Sequence, residues 1–246
     1  MSNKIVTAAV LIIGNEILSG RTQDTNIQFI GQGLVQLGIR LSEIRVVPDV
    51  EDAIIDAINT LRSRFDYLFT TGGIGPTHDD ITTACVSKAF GVDVARHPVA
   101  EALLLARYKP EDVNESRMKM ADVPVGSTLI DNPISVAPGY RIENVLVMAG
   151  VPRIMQAMFD GIKGNLKGGD PVQSKSIEAY VHEGVLAEPL GKLQDSFPDV
   201  DIGSYPFFKD GHLGTCLVAR SSDPSKLKAA AKAINTLVGK IYAISN

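Results

Sequence analysis

The 246-residue chain is poor in most features that assign a function at sight. No apolar run approaches the ~18–20 residues of a membrane span; the longest, residues 8–13, falls far short. The opening MSNKIVTAAVLIIGNEI leads from its apolar stretch into Asn15 and Glu16, not into a small-residue cleavage site, so it does not read as a secretion signal. A cytoplasmic protein with no membrane partner is expected. Basic residues are outnumbered, 24 Lys and Arg against 28 Asp and Glu, giving a net charge of -4 and a pI of about 5.6. With no positive surplus to offset phosphate charge, a nucleic-acid partner is disfavoured. The two cysteines, Cys85 and Cys216, lie too far apart for a CxxC redox or zinc motif and are expected to pack as small apolar groups. The four histidines, His78, His97, His182 and His212, show no HExxH spacing. There is no internal repeat and no low-complexity tract. What is present is ordinary for a globular chain, 45% hydrophobic and 21% charged, which excludes disorder and supplies a core.

Residues 4–13 are apolar and β-branched, as in a strand buried on both faces of a parallel sheet. A polar loop is expected over 14–24. Ile27, Ile30, Leu34 and Leu37 then recur at helical spacing, and Gly38 suits a left-handed stop. A strand over 39–47, a helix capped by Asp49 with Ile54, Ile58 and Leu61 on its stripe, and a strand over 65–70 follow. Residues 71–78 form a glycine-rich loop, and 79–90 a helix stopped at Gly91. This alternation predicts a three-layer α/β/α domain with a mostly parallel sheet. In the middle, 98–108 and 112–120 look helical, 127–130, 135–137, 140–142 and 144–149 look like strands, and 153–166 is helical behind Pro152. LKGGDP, residues 166–171, is the expected linker. The remainder reads strand, helix, strand, strand, helix (174–182, 186–196, 201–206, 213–220 and a last stripe through Leu227, Ala230, Ile234, Leu237 and Ile241), a small α+β (βαββα) domain. The expected division is therefore residues 1–168 and 172–246.

The segment TTGGIGPTHDDIT, residues 70–82, carries the chemistry. A strand delivers the chain into Gly72, Gly73 and Gly75, whose missing Cβ atoms let backbone amides approach a ligand. A helix follows, with its positive end toward the same place. This is an anion cradle, most simply for phosphate, and it is neither a Walker A loop nor GxGxxG. Asp79 and Asp80 would repel a bare phosphate. A divalent cation removes that conflict, because carboxylates and phosphate oxygens share Mg²⁺-type ions. In a sheet ordered 2-1-3, the loop after the first strand, with Glu16, Asp24 and Asn26, would face this one across the crevice at the switch point.

Together GNEILSG (residues 14–20), Asp24, Asn26 and TTGGIGPTHDDIT resemble the MoaB/Mog-like molybdopterin-binding fold. More narrowly they are similar to the CinA family and the molybdopterin-binding-type domain of FAD synthetases. RMKMADVPVGSTLIDNP (117–133), APGY (137–140) and GVPRIM (150–155) also match. GSYPFF (203–208) and His78 lean toward the FAD-synthetase-type subgroup. The resemblance covers the first two thirds of the chain. It implies binding of a phosphorylated small molecule (ADP-ribose, FAD or a molybdopterin) and, in the CinA and FAD-synthetase branches, metal-dependent hydrolysis of a diphosphate bridge. The alternatives it leaves are molybdopterin adenylylation and binding without turnover. Carried over by position, Asp79, Asp80 and Glu16 are catalytic, with Asp79 and Asp80 holding the metal. Thr71, Gly72, Gly73, Gly75, Thr77, His78, Asp24, Asn26, Arg117, Asn132 and Gly139 form the substrate and phosphate set, and Lys119 joins Arg117 as a candidate for phosphate charge. Oxygen ligands point to Mg²⁺; the resemblance widens this to Mn²⁺, Co²⁺ or Ni²⁺, with K⁺ as a further candidate, and implies a possible homo-oligomer. The nicotinamide-mononucleotide deamidase and nucleotidyltransferase domains of longer relatives are not represented in these residues.

Overall fold

The computed structural model of the chain describes residues 5–245. It forms two compact units that divide between Gly169 and Asp170.

The first unit is built on β1 (Val6–Ile13), β2 (Ile39–Val47), β3 (Tyr67–Thr71) and three later strands, β6 (Thr128–Ile130), β7 (Gly139–Ile142) and β8 (Val145–Met148). The six make one sheet in the order β2-β1-β3-β8-β7-β6. β2, β1, β3 and β8 run parallel, while β7 and β6 close the edge antiparallel. Residue 4, where the first strand is expected to begin, lies outside the described residues. Alternation along β1 divides the core into two. Val6, Ala8, Val10 and Ile12 face α2 (Asn26–Gln36) and α7 (Pro152–Lys163), through Ile30, Leu34, Met155, Met158 and Phe159. Ala9, Leu11 and Ile13 face α3 (Glu51–Arg64) and α4 (Thr82–Phe90), through Ile54, Ile58, Leu61, Cys85 and Val86. Both faces are apolar because both are covered, which is why the strand reads as a continuous hydrophobic run. The three-layer α/β/α reading is the observed one. Gly38 and Gly91 sit in the left-handed region at φ 67° and 66°, ending α2 and α4.

Several local expectations differ. The loop after β1 contains a single helical turn, α1 (Asn15–Leu18). Asp49 does not cap α3. Its carboxylate accepts the Asn15 N–H at 2.9 Å and so ties the β2 end to the β1 loop. Residues 92–124 carry a separate antiparallel pair, β4 (Val94–Arg96) and β5 (Asp122–Pro124), under α5 (Pro98–Arg107) and the short α6 (Glu115–Met118). Arg96 faces Asp122 in the pairing and bonds it at 2.9 Å. The expected helix over 112–120 is broken into α6 between two 3₁₀ turns.

The second unit comprises β9 (Gln173–Ala179), α8 (Glu183–Ser196), β10 (Asp201–Lys209), β11 (His212–Ser221) and α9 (Pro224–Ser245). Its antiparallel sheet is ordered β10-β11-β9. Leu186, Leu190, Leu227, Ala230, Ile234 and Val238 of the two helices pack on Ala179, Leu217 and Ala219. The β10–β11 turn places Asp210 and Gly211 at φ 52° and 80°, the positive pair that a two-residue hairpin requires.

Candidate functional site

Three loops meet at the carboxyl ends of β1, β3 and β8. Gly72, at φ 103°, leaves β3 so close to β1 that a Cβ would overlap the Ile13 carbonyl oxygen. On its other side a Cβ at Gly150, after β8, would stand 3.2 Å from the Gly72 Cα. The third loop supplies Asn26. Its amide, 3% exposed, donates to the Gly150 carbonyl at 2.8 Å. That bond fixes which amide atom is the donor, and leaves Asn26 Oδ1 buried with no partner among the described residues. The loops after β1, β3 and β8 thus come together at the switch point, and Gly150 is a member of that junction that composition and spacing did not single out. Its position directly behind a buried strand was the available signal.

The glycine loop presents three consecutive backbone amides. Gly72 N–H is committed to the Met148 carbonyl and Thr82 N–H to the Gly73 carbonyl. Between them, the N–H groups of Gly73, Ile74 and Gly75 make no hydrogen bond among the described residues. Unpaired amides in sequence are donors available to an anion. Gly73, at φ 68°, lies against the Thr82 hydroxyl, which itself bonds the Gly72 carbonyl at 3.0 Å. A Cβ at Gly75 would meet Asp80 Oδ2 at 2.6 Å.

Asp79 and Asp80 do not open the helix. They close a turn, with Asp80 N–H on the Thr77 carbonyl, and α4 begins at Thr82 with no side-chain cap. Both carboxylates are drawn back onto Thr77. Asp80 Oδ2 accepts its N–H at 2.8 Å, and the Thr77 hydroxyl stands 2.6 Å from Asp79 Oδ1 and 2.5 Å from Asp80 Oδ2. A hydroxyl has one proton, so it donates to only one of these oxygens at a time. The Thr77 hydroxyl and the Asp79 N–H hold the Asp79 carboxyl below its ordinary range, against desolvation, with the charges of His78 and Lys119 adding to the lowering. His78 is almost wholly exposed, its Nδ1 3.9 Å from Asp79 Oδ1. Lys119 Nζ donates to the carbonyls of Thr77 and Asp80 at 3.0 and 2.8 Å, clamping the turn from the β4–β5 side. Beside the loop is a cavity of about 270 Å³ whose lining includes Gly75, Asp80, Thr83, Lys119, Asp122 and Tyr140. Burial raises the Tyr140 phenol, which contacts the Thr83 hydroxyl at 3.3 Å.

The other expected site residues are placed differently. Thr71 is buried at the end of β3. Glu16 is exposed, its carboxylate folded against Gly14 in the loop after β1. Asp24 turns its carboxylate onto the start of α2, just before the Thr25 cap position, accepting the Ile27 N–H at 2.9 Å. Arg117 is turned away from the loop. It lies 4.7 Å over the Tyr108 ring and pairs with Asp112 at 3.1 Å, so Lys119 rather than Arg117 reaches the glycine loop. Asn132 spends its whole amide on its own turn, donating to Ser135 and Ala137 and accepting from Ile134 and Ser135. That turn replaces the strand expected over 135–137 and holds Val136 at φ 72°. Gly139 is required by packing, since a Cβ would overlap the Val147 carbonyl and the Met158 methyl. Among the described residues no three His, Cys, Asp or Glu side chains gather as a metal-ligand cluster.

Residues 9–167 match the family described as "Probable molybdopterin binding domain", and residues 171–246 match "FAD synthase, middle domain". A protein of Archaeoglobus fulgidus is 31% identical over 93% of this chain and 96% of its own length. A Pyrobaculum calidifontis protein is 34% identical over 81% of this chain and 80% of its length. A probable FAD synthase of Caenorhabditis elegans is 31% identical over 94% of this chain, which spans 50% of that protein. Among solved structures, the protein CinA of unknown function from Thermoplasma acidophilum aligns with a TM-score of 0.62 at 34% identity, covering 65% of this chain and 98% of that one. The chain belongs to the molybdopterin-binding-domain family, joined to a domain of the FAD synthase middle type. No described helix is long and apolar enough to cross a membrane.

Proposed function

We propose that this chain hydrolyses the diphosphate bridge of an ADP-ribose-like or FAD-like dinucleotide with the help of a divalent cation. The observation that carries this reading is the crowding of two carboxylates onto one hydroxyl at the lip of a loop with three unpaired amides. Binding alone does not call for acids beside phosphates, whereas a cation between acids and phosphates makes both favourable. The donor set of Asp79, Asp80 and the Thr77 hydroxyl is all hard oxygen, which fits a Mg²⁺-type ion whose remaining positions are filled by phosphate and water. With only two carboxylates in the cluster, the ion and the substrate would bind as one unit. Such an ion supplies charge neutralisation to the phosphates and to the departing oxygen.

The chain's own groups do the rest. The amides of Gly73, Ile74 and Gly75 hold the phosphate that stays, and its growing negative charge is met by fixed donors. A water oxygen bonds to one phosphorus, the bridging P–O bond breaks, and a carboxylate of the three-loop junction takes the water proton, Glu16 being the exposed acid in the loop after β1. Lys119 keeps the Thr77–Asp80 turn in place through two backbone carbonyls. The match to a FAD synthase middle domain supports a nucleotide substrate.

The test is to incubate the protein with ADP-ribose, FAD, or molybdopterin plus ATP, in Mg²⁺, Mn²⁺, Co²⁺ or Ni²⁺, and separate the products. AMP with ribose phosphate or with FMN is expected, and Asp79→Asn and Asp80→Asn should each abolish it. An adenylylated pterin, or full activity in both variants, would overturn the proposal.

A further inference from the structure

The second unit carries a groove that the reaction above does not use. It lies between the edge strand β9 and helix α9, with a volume of about 670 Å³. Lys175 comes from the strand, and Lys228 and Lys232 from successive turns of the helix. Ile177 and Ala231 form an apolar floor, and Asn235 and Thr236 continue the same helical stripe. No acid lines it.

Three features make this more than a scatter of surface lysines. Outside the groove, residues 170–246 carry nine Asp and Glu against five Lys and Arg, and three of those lysines are paired: Lys192 holds Glu188 at 2.7 Å, Lys226, on the same helix, holds Asp199 at 2.5 Å, and Lys209 holds Glu178 at 3.5 Å. By contrast Lys175, Lys228 and Lys232 make no ion pair among the described residues. Three like charges around one groove repel one another, and a multiply charged anion turns that repulsion into attraction. Second, β9 pairs only with β11 among the described strands, so alternate backbone groups along its outer edge are open to a ligand. Third, the open groove sets cations beside apolar, amide and hydroxyl groups, which suits a phosphorylated ligand with a flat or sugar-bearing end. An acidic peptide would use the edge and the charges but not the apolar Ile177 and Ala231.

We propose that the β9–α9 groove binds an oligophosphate of the nucleoside di- or triphosphate class, with Lys175, Lys228 and Lys232 on the phosphates and Ile177 and Ala231 under the nucleoside. This site is separate from the glycine loop and does not depend on the hydrolytic reading.

Amide shift mapping by NMR on the full chain tests it, with ATP, tripolyphosphate and a glutamate-rich peptide as probes. ATP should shift residues 175–177 and 228–236 as a set, saturating independently of any shift at 72–80. Lys228→Gln with Lys232→Gln should weaken that binding at least about tenfold at low salt, from two point charges at a solvent-exposed site. Lys240→Gln, on the same helix outside the groove, should leave it unchanged. Circular dichroism melting of the double variant confirms that it folds. Three results would overturn the proposal: ATP shifts confined to the glycine loop, equal ATP affinity in the folded double variant, or tighter binding of the peptide than of ATP. Tripolyphosphate binding as tightly as ATP would overturn the nucleoside contact.

Discussion

Gly150→Ala tests whether the three-loop junction is as tightly held as its geometry implies. Gly150 has an ordinary φ, so alanine is conformationally allowed there, and restricting the unfolded chain would by itself stabilise by about 0.4–1 kcal/mol. The new methyl, however, would stand 3.2 Å from the Gly72 Cα and 3.5 Å from its nitrogen. Neither partner can retreat. Gly72 is backed by the Ile13 carbonyl, and Gly150 is tied by its own carbonyl to the Asn26 amide at 2.8 Å. Overpacking against rigid neighbours costs about 1–3 kcal/mol, which exceeds the entropic gain. The expected net loss of about 1–2 kcal/mol lowers the melting transition of the first unit by roughly 2–8 °C for a domain of this size. Thermal unfolding followed by circular dichroism reads it, in a cycle with Asn26→Ala. Releasing the Gly150 carbonyl lets the loop yield, so the double variant should be less destabilised than the sum of the singles. An unchanged or raised Tm for Gly150→Ala, or strict additivity with Asn26→Ala, would refute the reasoning.

Two glycines on facing helices should respond with opposite sign to the same substitution. Gly161→Ala in α7 meets nothing and should stabilise by about 0.5–1 kcal/mol, whereas Gly33→Ala in α2 drives a methyl into the buried Phe159 ring and should lower Tm, as differential scanning will show. Because the folded Asp79 carboxyl titrates below its ordinary value, its contribution to stability is complete above about pH 4 and fades as pH falls through the lowered value. Thr77→Val should move the Asp79 titration upward, read by carboxyl NMR, and an unmoved titration would remove the hydroxyl as its cause. Cys85, buried with its thiol pushed up to about 11 mainly by desolvation, should stay unlabelled by a thiol reagent at neutral pH until the first unit unfolds.

The parallel half of the fold was legible because burial on both faces writes a continuous apolar run into β1, and because the stops at Gly38 and Gly91 need φ values that glycine supplies. The 92–124 insert was not, since strands as short as β4 and β5 carry too few residues for a period to show. The glycines of the 71–78 loop could be read directly, but the fate of the polar side chains around them could not. Asp24, Arg117 and Asn132 are polar residues in polar surroundings, and only the fold decides whether each faces the crevice or its own backbone. The Asp79–Asp80 pair reads as a helix start until the Thr77 hydroxyl and amide are seen to claim both acids.

The place of β8 between β3 and β7 has a consequence for synthesis of the chain. Leu68 on β3 pairs with Val145, so the sheet's inner edge stands open while everything between them is translated. At ordinary elongation rates that interval is roughly 4–15 s. During it the nascent chain offers an apolar parallel edge with β1 and β2 already available to seat it, and the half-built sheet becomes a client for chaperones or for a neighbouring ribosome's identical segment. The strand that completes the three-loop junction is also the one that ends this exposure, so nascent chains stalled before residue 148 should carry neither that junction nor a protected core.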